Sequence, residues 1–330
     1  MNNSHEAAYY ELLADGEIAC RLCPQRCRIA AGKSGFCKTR INRDGKLEVR
    51  NFGRVSSIGL DPIEKKPLYH YFPGKPILSV GTIGCNLACR FCQNWHISRE
   101  EAPTRLITPA ELADMAEKSH EAEDNIGVAY TYSEPGVWYE FLRETMPLIR
   151  ERGLKNVMVT NAFLEPEPWR DLLKWTDAAN IDLKGFDADF YRRYCSGKHE
   201  PVLNNIKEAV GIHLELTTLL IPGANDRPDQ IEKMARWIAE IDPEIPWHLS
   251  RYYPNYRMTT PATPIATMEE ALDVAKKYLK YVYLGNVGRN NHTYCPECGN
   301  IVIERNGFQT RIFNKNICRE CGKKLRIITA

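Results

Sequence analysis

The chain has 330 residues, of which 43% are hydrophobic and 26% are charged, and its formal net charge is +2. Its length suits about two domains, or one large barrel with attachments, and its composition excludes both a membrane-embedded chain and an intrinsically disordered one. The first residues lack a basic stretch followed by an apolar run, so we expect no signal peptide and a cytoplasmic location. In that reducing compartment the 12 cysteines predict metal sites rather than disulfides.

Charge divides the chain into three parts. Residues 1–75 hold 13 basic and 8 acidic residues, and residues 287–330 hold 8 and 3, so each end carries +5. The whole chain has 44 basic and 42 acidic residues, so subtraction leaves 23 basic and 31 acidic residues, a net charge of −8, for residues 76–286. We predict one domain for each part. Basic ends are also typical of nucleic-acid binding. We favour the interpretation that their Lys and Arg residues offset the negative charge of metal-bound thiolates.

The first cysteine group consists of Cys20, Cys23, Cys27 and Cys37, in the segment CRLCPQRCRIAAGKSGFC. Its proline and glycines let the sulfur atoms converge, which predicts a four-thiolate metal site in an N-terminal extension over residues 1–75. Zinc and an iron–sulfur cluster both accept four thiolates, so the spacing leaves both open. Of the two, we favour zinc.

The second group consists of Cys85, Cys89 and Cys92, on a short loop. It follows the apolar, β-branched run ILSVGTIG, which predicts a buried strand that ends at Gly84. Three thiolates on one loop can hold three irons of a 4Fe–4S cluster and leave the fourth iron without a protein ligand. An open iron of this kind predicts a bound cofactor.

Strands and helices alternate after this loop. Thr108 and Glu111 form a capping box that predicts a helix over 109–120, and later helical patterns cover 230–241 and 267–280. Further strands are predicted over 126–131, 156–160, 178–183, 213–221, 247–251 and 281–284. Together with the strand before Cys85 they make seven. The repeated β–α units predict an α/β fold, a partial (β/α)6 TIM-like barrel over residues 76–286 with one added strand.

The third cysteine group consists of Cys295, Cys298, Cys318 and Cys321, in the pairs CPEC and CREC. Strand-like segments lie between the two pairs. Two such pairs bring four thiolates into the closed tetrahedron of a structural zinc. We therefore predict a zinc ribbon over residues 287–330.

Polar groups follow each predicted strand. They are Cys85, residues 133–135, 160–161, 182–184, 222–225 and 251–253, and Asn286. Because the carboxyl ends of barrel strands meet on one face, these groups predict a functional site there. His248 is interpreted instead as a buried structural histidine, and Cys195 as a small buried or semi-exposed thiol rather than a second nucleophile.

These residues carry a family resemblance. CNLACRFC (85–92) resembles the cluster motif of radical S-adenosylmethionine (SAM) enzymes, and the sequences Ser-Glu-Pro at 133–135 and Asp-Leu-Lys at 182–184 resemble motifs of glycyl-radical activating enzymes. Many radical enzymes have Gly-Gly-Glu where this chain has Ser-Glu-Pro. The AmmeMemoRadiSam-system radical enzyme is similar over nearly the whole chain, about 20–325. Its resemblance rests on DPIEKKPLYHYFPG (61–74), CQNW (92–95), TYSEPGVW (131–138) and HTYCPECG (292–299).

The resemblance implies a reaction and a set of cofactor contacts. SAM would bind the open iron and be cleaved reductively to a 5′-deoxyadenosyl radical, which abstracts hydrogen from an unidentified substrate. Glu134 would accept hydrogen bonds from the methionyl ammonium of SAM. The other implied contacts are Asp182 and Lys184 at the methionyl and ribose groups, the Asn94 amide, the Phe91 backbone near adenine, and Thr160 and Asn161 as further polar contacts.

The resemblance also implies partners. They are an electron donor such as flavodoxin or ferredoxin, and AMMECR-like and Memo-like proteins. One alternative is a glycyl-radical enzyme activase, for which the N-terminal cysteine region would dock the partner protein. An alternative of another class is a non-catalytic metal-binding module that binds nucleic acid through its basic ends.

Overall fold

The computed structural model describes residues 5–329. Its N-terminal part is built from short strands: β1 (His5–Glu6), β2 (Tyr10–Leu12), β3 (Ile18–Cys20), β4 (Arg28–Ile29), β5 (Arg40–Arg43), β6 (Lys46–Val49) and β7 (Arg54–Val55). They form two antiparallel three-stranded sheets, with strand orders β1-β6-β5 and β2-β3-β4. The remaining strand, β7, pairs with a later two-residue strand at 105–106. The first cysteine group lies in and around the second of these sheets.

The centre of the molecule is one eight-stranded sheet. Its strands are β8 (Ser57–Pro62), β9 (Pro76–Gly81), β11 (Gly127–Tyr130), β12 (Lys155–Thr160), β13 (Ala178–Asp182), β14 (His213–Leu220), β15 (Trp247–Arg251) and β16 (Val282–Gly285), β10 (Arg105–Leu106) being the partner of β7. Strands β9 and β11 to β16 run parallel and lie side by side in chain order. These seven are the strands that the sequence pattern predicts, with ends shifted by a few residues.

Strand β8 was not predicted. It pairs antiparallel with β9 along its whole length and forms one edge of the sheet. Its sequence, SIGLDP, contains glycine and proline, and its residues are half-buried or exposed without alternation. An edge strand of this composition lacks both the apolar run and the two-residue period that identify strands in a sequence.

Helices connect the parallel strands. They are α1 (Trp95–Ser98), α2 (Pro109–Glu123), α3 (Tyr139–Glu151), α4 (Pro166–Leu173), α5 (Ala188–Phe190), α6 (Glu200–Glu208), α7 (Pro228–Ile241) and α8 (Ile265–Lys276). At the start of α2 the predicted capping box is present. The Glu111 amide donates to Thr108 Oγ1 (3.2 Å), and the Thr108 amide donates to the Glu111 carboxylate (2.6 Å). Helix α8 ends four residues before the end of its predicted range.

One hydrophobic core unites the N-terminal strands with the central unit. The same cluster of buried side chains contains Ile18 and Leu47 from the N-terminal strands, Val80 and Trp247 from the central sheet, and Leu112 from α2. The N-terminal part therefore packs against the helices and the cysteine loop instead of forming a core of its own.

The C-terminal part is a three-stranded antiparallel sheet of β17 (Thr293–Tyr294), β18 (Ile301–Asn306) and β19 (Gln309–Ile312), in that order. It has a small core of its own, separate from the main one. Arg305 joins it to the central unit, since its buried guanidinium donates to the Tyr69 carbonyl (2.5 Å). Among residues 5–329, no helix is both long and apolar enough to cross a membrane.

Candidate functional site

A cavity of about 350 Å³ opens at the carboxyl ends of the parallel strands. The sulfur-bearing residues Cys85, Cys89 and Cys92 line it from the loop after β9. The other predicted site residues that line it are Phe91, Asn94, Ser133, Glu134, Thr160, Asn161, Asp182 and Lys184. The cavity thus brings together, from four separate segments, every residue for which the family resemblance implies a contact with SAM.

Some predicted strand-end residues lie elsewhere. Among the described residues, 222–225, 251–253 and Asn286 do not line this cavity. The Asn286 amide instead donates to Ser250 Oγ (3.0 Å), and it is Ser250 that reaches the cavity. The buried Asn225 amide donates to the carbonyls of Lys184 (2.8 Å) and Leu219 (2.9 Å), so it supports the loop after β13.

The cysteine loop is held by backbone contacts at several points. Its Ala88 amide donates to the Cys195 carbonyl (2.9 Å), and its Arg90 amide donates to the Tyr194 carbonyl (2.8 Å). Gly84, directly before the loop, has a φ of +86°, and a Cβ there would lie 2.3 Å from Thr39 Cγ2. Only glycine fits this position, because both the backbone conformation and the space exclude a side chain.

The three thiols differ in their surroundings. Burial raises the pKa of Cys85 well above its usual value and also raises the pKa of Cys92. The pKa of Cys89 is lowered, first by a hydrogen bond with the Cys195 thiol and then, against the effect of burial, by the ammonium of Lys184. Cys195 is fully buried, as the sequence interpretation expected. Its contact with Cys89 could not be read from the sequence, since the two are more than 100 positions apart.

The spacing of these thiols fits a cluster. Among the described residues, three or more candidate ligand atoms lie within 4.8 Å of one another only in the C-terminal cysteine group, so Cys85, Cys89 and Cys92 are more widely spaced. They are nonetheless close enough that each thiol affects the pKa of another. Four thiolates around one zinc ion lie only about 3.8 Å apart, given Zn–S bonds of about 2.3 Å. The wider spacing suits a 4Fe–4S cluster.

Glu134 is the buried carboxylate of the cavity. Its Oε1 accepts hydrogen bonds from the Gly136 amide (2.8 Å) and the Thr160 hydroxyl (2.6 Å), and its Oε2 accepts one from the Asn161 amide (2.8 Å). Burial raises the pKa of Glu134 to about 7, although these three donors favour the ionised form. One lone pair of Oε2 is left for a further donor.

Asparagine side chains hold the cavity wall. The Asn94 amide donates to the Tyr132 carbonyl (2.7 Å), and the Asn161 amide donates to Asn86 Oδ1 (2.9 Å) and lies 3.6 Å from Cys85 Sγ. Tyr132 has a φ of +69°, in the left-handed region that is uncommon for a residue other than glycine. Asn86 was not among the predicted site residues. Its side-chain amide donates to the Phe163 carbonyl (2.6 Å).

An ion pair lies at the end of β13. Lys184 Nζ contacts Asp182 Oδ2 at 2.8 Å, and both side chains line the cavity. Burial alone would lower the pKa of Lys184, but the Asp182 carboxylate and the thiols of Cys89 and Cys195 outweigh it and raise that pKa. A positive charge is thereby kept next to the cysteine loop.

Two basic residues were missed by the sequence analysis. Lys65 and Lys66 line the cavity from the segment after β8, and Lys66 donates to Asp61 (2.7 Å) while lying over the Tyr132 ring. They belong to the segment DPIEKK, the start of the motif at 61–74 on which the family resemblance partly rests. The resemblance implied no role for these two lysines. That motif was the available signal.

The C-terminal cysteines form a compact group. Sγ of Cys295 lies 3.6 Å from that of Cys321, and Sγ of Cys298 lies 3.5 Å from that of Cys318. All four sulfur atoms lie within 4.8 Å of one another. This is the size of a tetrahedral site for a single metal ion.

His248 is a structural histidine, as interpreted from the sequence. It is buried, and its Nε2 lies 2.7 Å from the carboxylate of Glu215, which is also fully buried. That carboxylate accepts hydrogen bonds from the backbone amides of Tyr69 (2.9 Å) and His70 (2.7 Å) as well. None of these four residues lines the cavity.

Comparison with known proteins gives two kinds of sequence match. The model of the Radical SAM superfamily matches residues 79–238. An uncharacterised protein of Methanocaldococcus jannaschii is 42% identical over 337 residues, which cover 98% of this chain and 99% of that protein. The pyruvate formate-lyase-activating enzyme of Staphylococcus aureus is 26% identical over 178 residues, 49% of this chain and 68% of that enzyme.

Two solved structures share the fold of the central part of the chain. Streptococcus suis SuiB bound to S-adenosylmethionine aligns with a TM-score of 0.52 and 14% identity, over 68% of this chain and 53% of that one. A radical SAM methyltransferase from Sphaerobacter thermophilus aligns with a TM-score of 0.51 and 15% identity, over 70% of this chain and 71% of that one. At this identity the likeness concerns the fold alone.

Proposed function

The chain belongs to the radical SAM superfamily and is related to pyruvate formate-lyase-activating enzymes, and from this premise we propose that it cleaves SAM reductively at the loop of Cys85, Cys89 and Cys92. A 4Fe–4S cluster held by these three thiols would supply one electron to the sulfonium of SAM, and cleavage of its S–C5′ bond would give methionine and a 5′-deoxyadenosyl radical able to abstract hydrogen from a substrate. Such an enzyme is an oxidoreductase that resembles the activating enzymes.

The observation that supports this proposal most is the composition of the cavity. Three thiols with no fourth cysteine ligand among the cavity-lining residues share a 350 Å³ space with a buried carboxylate and an Asp–Lys pair. A site for a purely structural metal needs closed coordination and no such space. Here the space adjoins the thiols, where a small zwitterionic ligand would complete the coordination of the open iron.

The residues of the chain position that ligand. Glu134 accepts a hydrogen bond from the methionyl ammonium at the free lone pair of Oε2, and its other bonds to Thr160 and Asn161 keep the carboxylate in place. Asp182 and Lys184 contact the methionyl and ribose groups from the end of β13. Asn94 holds the strained turn at Tyr132, and the backbone of Phe91 borders the adenine.

Apolar side chains limit the access of water to the site. The side chain of Phe91 is buried and packs near Phe190, with ring centroids 6.3 Å apart, and Leu219 covers a further part of the lining. A low-water site of this kind protects a radical from quenching.

We further propose a zinc ion for the ribbon cysteines, because the 3.5–3.6 Å sulfur pairs suit one tetrahedral ion.

For partners we propose a flavodoxin or ferredoxin as electron donor and AMMECR-like and Memo-like proteins. The motifs shared with the AmmeMemoRadiSam enzyme, over about 20–325, support the last two.

The substitution Cys89→Ala tests the proposed reaction. Loss of one of three ligands leaves the cluster labile, so we expect the purified, anaerobically reconstituted variant to bind little iron at this loop and to form no 5′-deoxyadenosine from SAM and dithionite. Liquid chromatography of the products and metal analysis measure both. Cleavage at the wild-type rate by this variant would exclude the reaction at this loop.

The matched control is Cys298→Ala, which removes one thiol from the ribbon. We expect this variant to lose zinc but to keep both its iron and its SAM cleavage.

The second candidate function, activation of a glycyl-radical enzyme, is supported by the match to the Staphylococcus aureus enzyme over 49% of this chain. It predicts a glycyl radical, visible by electron paramagnetic resonance, in a partner protein; the nucleic-acid module predicts salt-dependent nucleic-acid binding and no SAM cleavage.

A further inference from the structure

The N-terminal cysteines form a third group of converging thiols. Cys20, Cys23 and Cys37 are buried, and Cys27 is half-buried. The Cys20 amide donates to the Cys27 carbonyl (2.9 Å), the Arg26 amide donates to the Cys23 carbonyl (3.0 Å), and the amide of Phe36, next to Cys37, donates to Cys27 Sγ (3.3 Å). These contacts bring the four cysteines around a common volume.

That volume is larger than the one in the ribbon. In the described part of the chain, only the ribbon group has three or more ligand atoms within 4.8 Å of one another. In any three of the N-terminal thiols, at least two are farther apart than this limit, as in the radical-SAM loop of Cys85, Cys89 and Cys92. Sulfur ligands of a 4Fe–4S cluster lie on the order of 6 Å apart, because the cube of irons separates them, whereas those of one zinc lie about 3.8 Å apart.

We propose that Cys20, Cys23, Cys27 and Cys37 bind a second 4Fe–4S cluster, in which all four irons have a protein ligand. The ribbon of the same chain serves as an internal standard for a single-ion site, and the radical-SAM loop for a cluster site. By both standards the N-terminal group is a cluster site. The assignment replaces the zinc that the sequence spacing favoured.

The surroundings of the group agree with this assignment. Cys20 and Cys23 belong to the main hydrophobic core, which holds this part of the chain to the central unit. In the ribbon, by contrast, Cys295 and Cys318 make up two of the six residues of a separate small core. A structural staple is required where a core is small and not where a large one exists.

The N-terminal group also touches the radical-SAM loop. The Arg99 guanidinium donates to the carbonyls of both Phe36 (3.3 Å) and Cys85 (3.1 Å). A Cβ on Gly84 would lie 2.6 Å from the Cys37 carbonyl oxygen, so the two cysteine segments are in backbone contact. Zinc has no redox chemistry, whereas a cluster here places a second one-electron carrier directly beside the first.

Iron analysis of a full-length variant without the radical-SAM ligands tests the assignment. Cys85→Ala, Cys89→Ala and Cys92→Ala are combined, and the protein is reconstituted anaerobically with iron and sulfide. We expect about four irons and about one zinc per chain, with a 4Fe–4S signal in electron paramagnetic resonance after dithionite reduction. An iron content near zero, with either one or two zincs, would overturn the proposal.

The unaltered protein gives a second measurement in case the triple variant does not fold. Wild-type chains should hold about eight irons and about one zinc, and Cys20→Ser with Cys23→Ser should lower the iron by half while the zinc is kept. About four irons and about two zincs in the wild type would contradict the assignment. Because the triple variant has no radical-SAM cluster, its result does not depend on the reaction proposed above.

Discussion

At the scale of single residues, Glu134 carries the most information about the site. It caps the 3-10 turn Pro135–Trp138 through its bond from the Gly136 amide, and it joins the ends of β11 and β12 through Thr160 and Asn161. Three donors on one buried carboxyl are more than a cap needs. They fix the orientation of the carboxyl toward the cavity, where a cationic group would find it.

Binding of SAM should depend on the ionisation of Glu134. Because burial raises the pKa of Glu134 to about 7, the carboxyl is neutral below that pH and gains its charge as the pH rises through it. We expect SAM affinity to increase between about pH 6 and pH 8 in the wild type. Glu134→Gln should weaken binding by about 10-fold to 150-fold, the equivalent of roughly 1.5–3 kcal/mol for a charged hydrogen bond, and should abolish the pH dependence.

Anaerobic equilibrium dialysis with SAM measures both effects. Thr160→Val is the control, since it removes one donor to Glu134 without changing any charge and should keep the pH dependence. A wild-type affinity that does not vary over this pH range would remove Glu134 from the SAM site.

At the scale of elements, the ribbon and the N-terminal strands attach to the central unit in different ways. The ribbon has a separate core that includes two of its four cysteines, so its fold should depend on the zinc ion proposed for it. The N-terminal strands share the main core and are further joined to α3 by the ion pair of Arg40 and Glu140, both nearly inaccessible to solvent.

Removal of the ribbon metal should unfold the ribbon alone. In the variant Cys298→Ser with Cys321→Ser, we expect loss of zinc and of amide protection in β17, β18 and β19, because metal binding supplies most of the folding free energy of so small a unit. Protection in the central sheet should stay, which hydrogen exchange with mass spectrometry measures. Glu297→Gln, which breaks only an exposed pair with Lys323, should change neither.

Removing one partner of the buried ion pair of Arg40 and Glu140 should destabilise the fold much more than replacing both partners. Arg40→Met leaves the Glu140 carboxylate buried without its guanidinium, so we expect a loss of about 3–5 kcal/mol in the free energy of unfolding. Replacement of both, with Glu140→Leu added, should recover much of this loss. Urea denaturation measures the four states of the cycle.

The exposed pair of Arg236 and Glu232 provides the reference for this cycle. Its side chains are 59% and 42% accessible, so Arg236→Met should cost less than about 1 kcal/mol. Equal effects of Arg40→Met and Arg236→Met would show that the N-terminal strands do not depend on the buried pair.

At the scale of the whole molecule, Glu215 joins parts that are distant in the chain. From β14 its carboxylate accepts hydrogen bonds from the amides of Tyr69 and His70 and contacts His213 and His248. These bonds lower the pKa of Glu215 against the effect of burial. The same region reaches the ribbon, because His70 contacts Tyr283, whose hydroxyl lies 2.8 Å from Thr293 Oγ1.

Acid should destabilise the fold through His70. Burial lowers the pKa of this imidazole from 6.5 to about 3, so the unfolded chain binds a proton that the folded chain excludes between these values. The contribution of His70 is therefore constant above about pH 6.5 and is lost as the pH falls below it, by at most about 1.4 kcal/mol per pH unit. His70→Gln should make the fall between about pH 7 and pH 5 shallower.

Unfolding in urea at several pH values measures this slope. Tyr283→Phe removes the same 2.7 Å hydrogen bond but keeps the imidazole, so it should lower stability at every pH and retain the wild-type slope. A slope in His70→Gln equal to that of the wild type would show that other groups cause the acid sensitivity.

Local patterns of the sequence were sufficient for the order of the parallel strands and for the composition of the cysteine groups. The apolar runs located all seven parallel strands, the capping box located the start of α2, and the cysteine spacing separated three groups. Such features depend on neighbours within about ten positions, where secondary-structure periodicity and ligand spacing act. The edge strand β8 lacked such a pattern and was missed.

The tertiary structure decided which of these features meet. It placed Cys195 against Cys89, surrounded Glu134 with donors from two elements, and buried the pair of Arg40 and Glu140 across 100 positions. It also set the width of each cysteine group, which identical ligand types do not reveal. Distances between residues far apart in the chain depend on how whole elements pack around a shared core, and the sequence by itself carries no local signal for that packing.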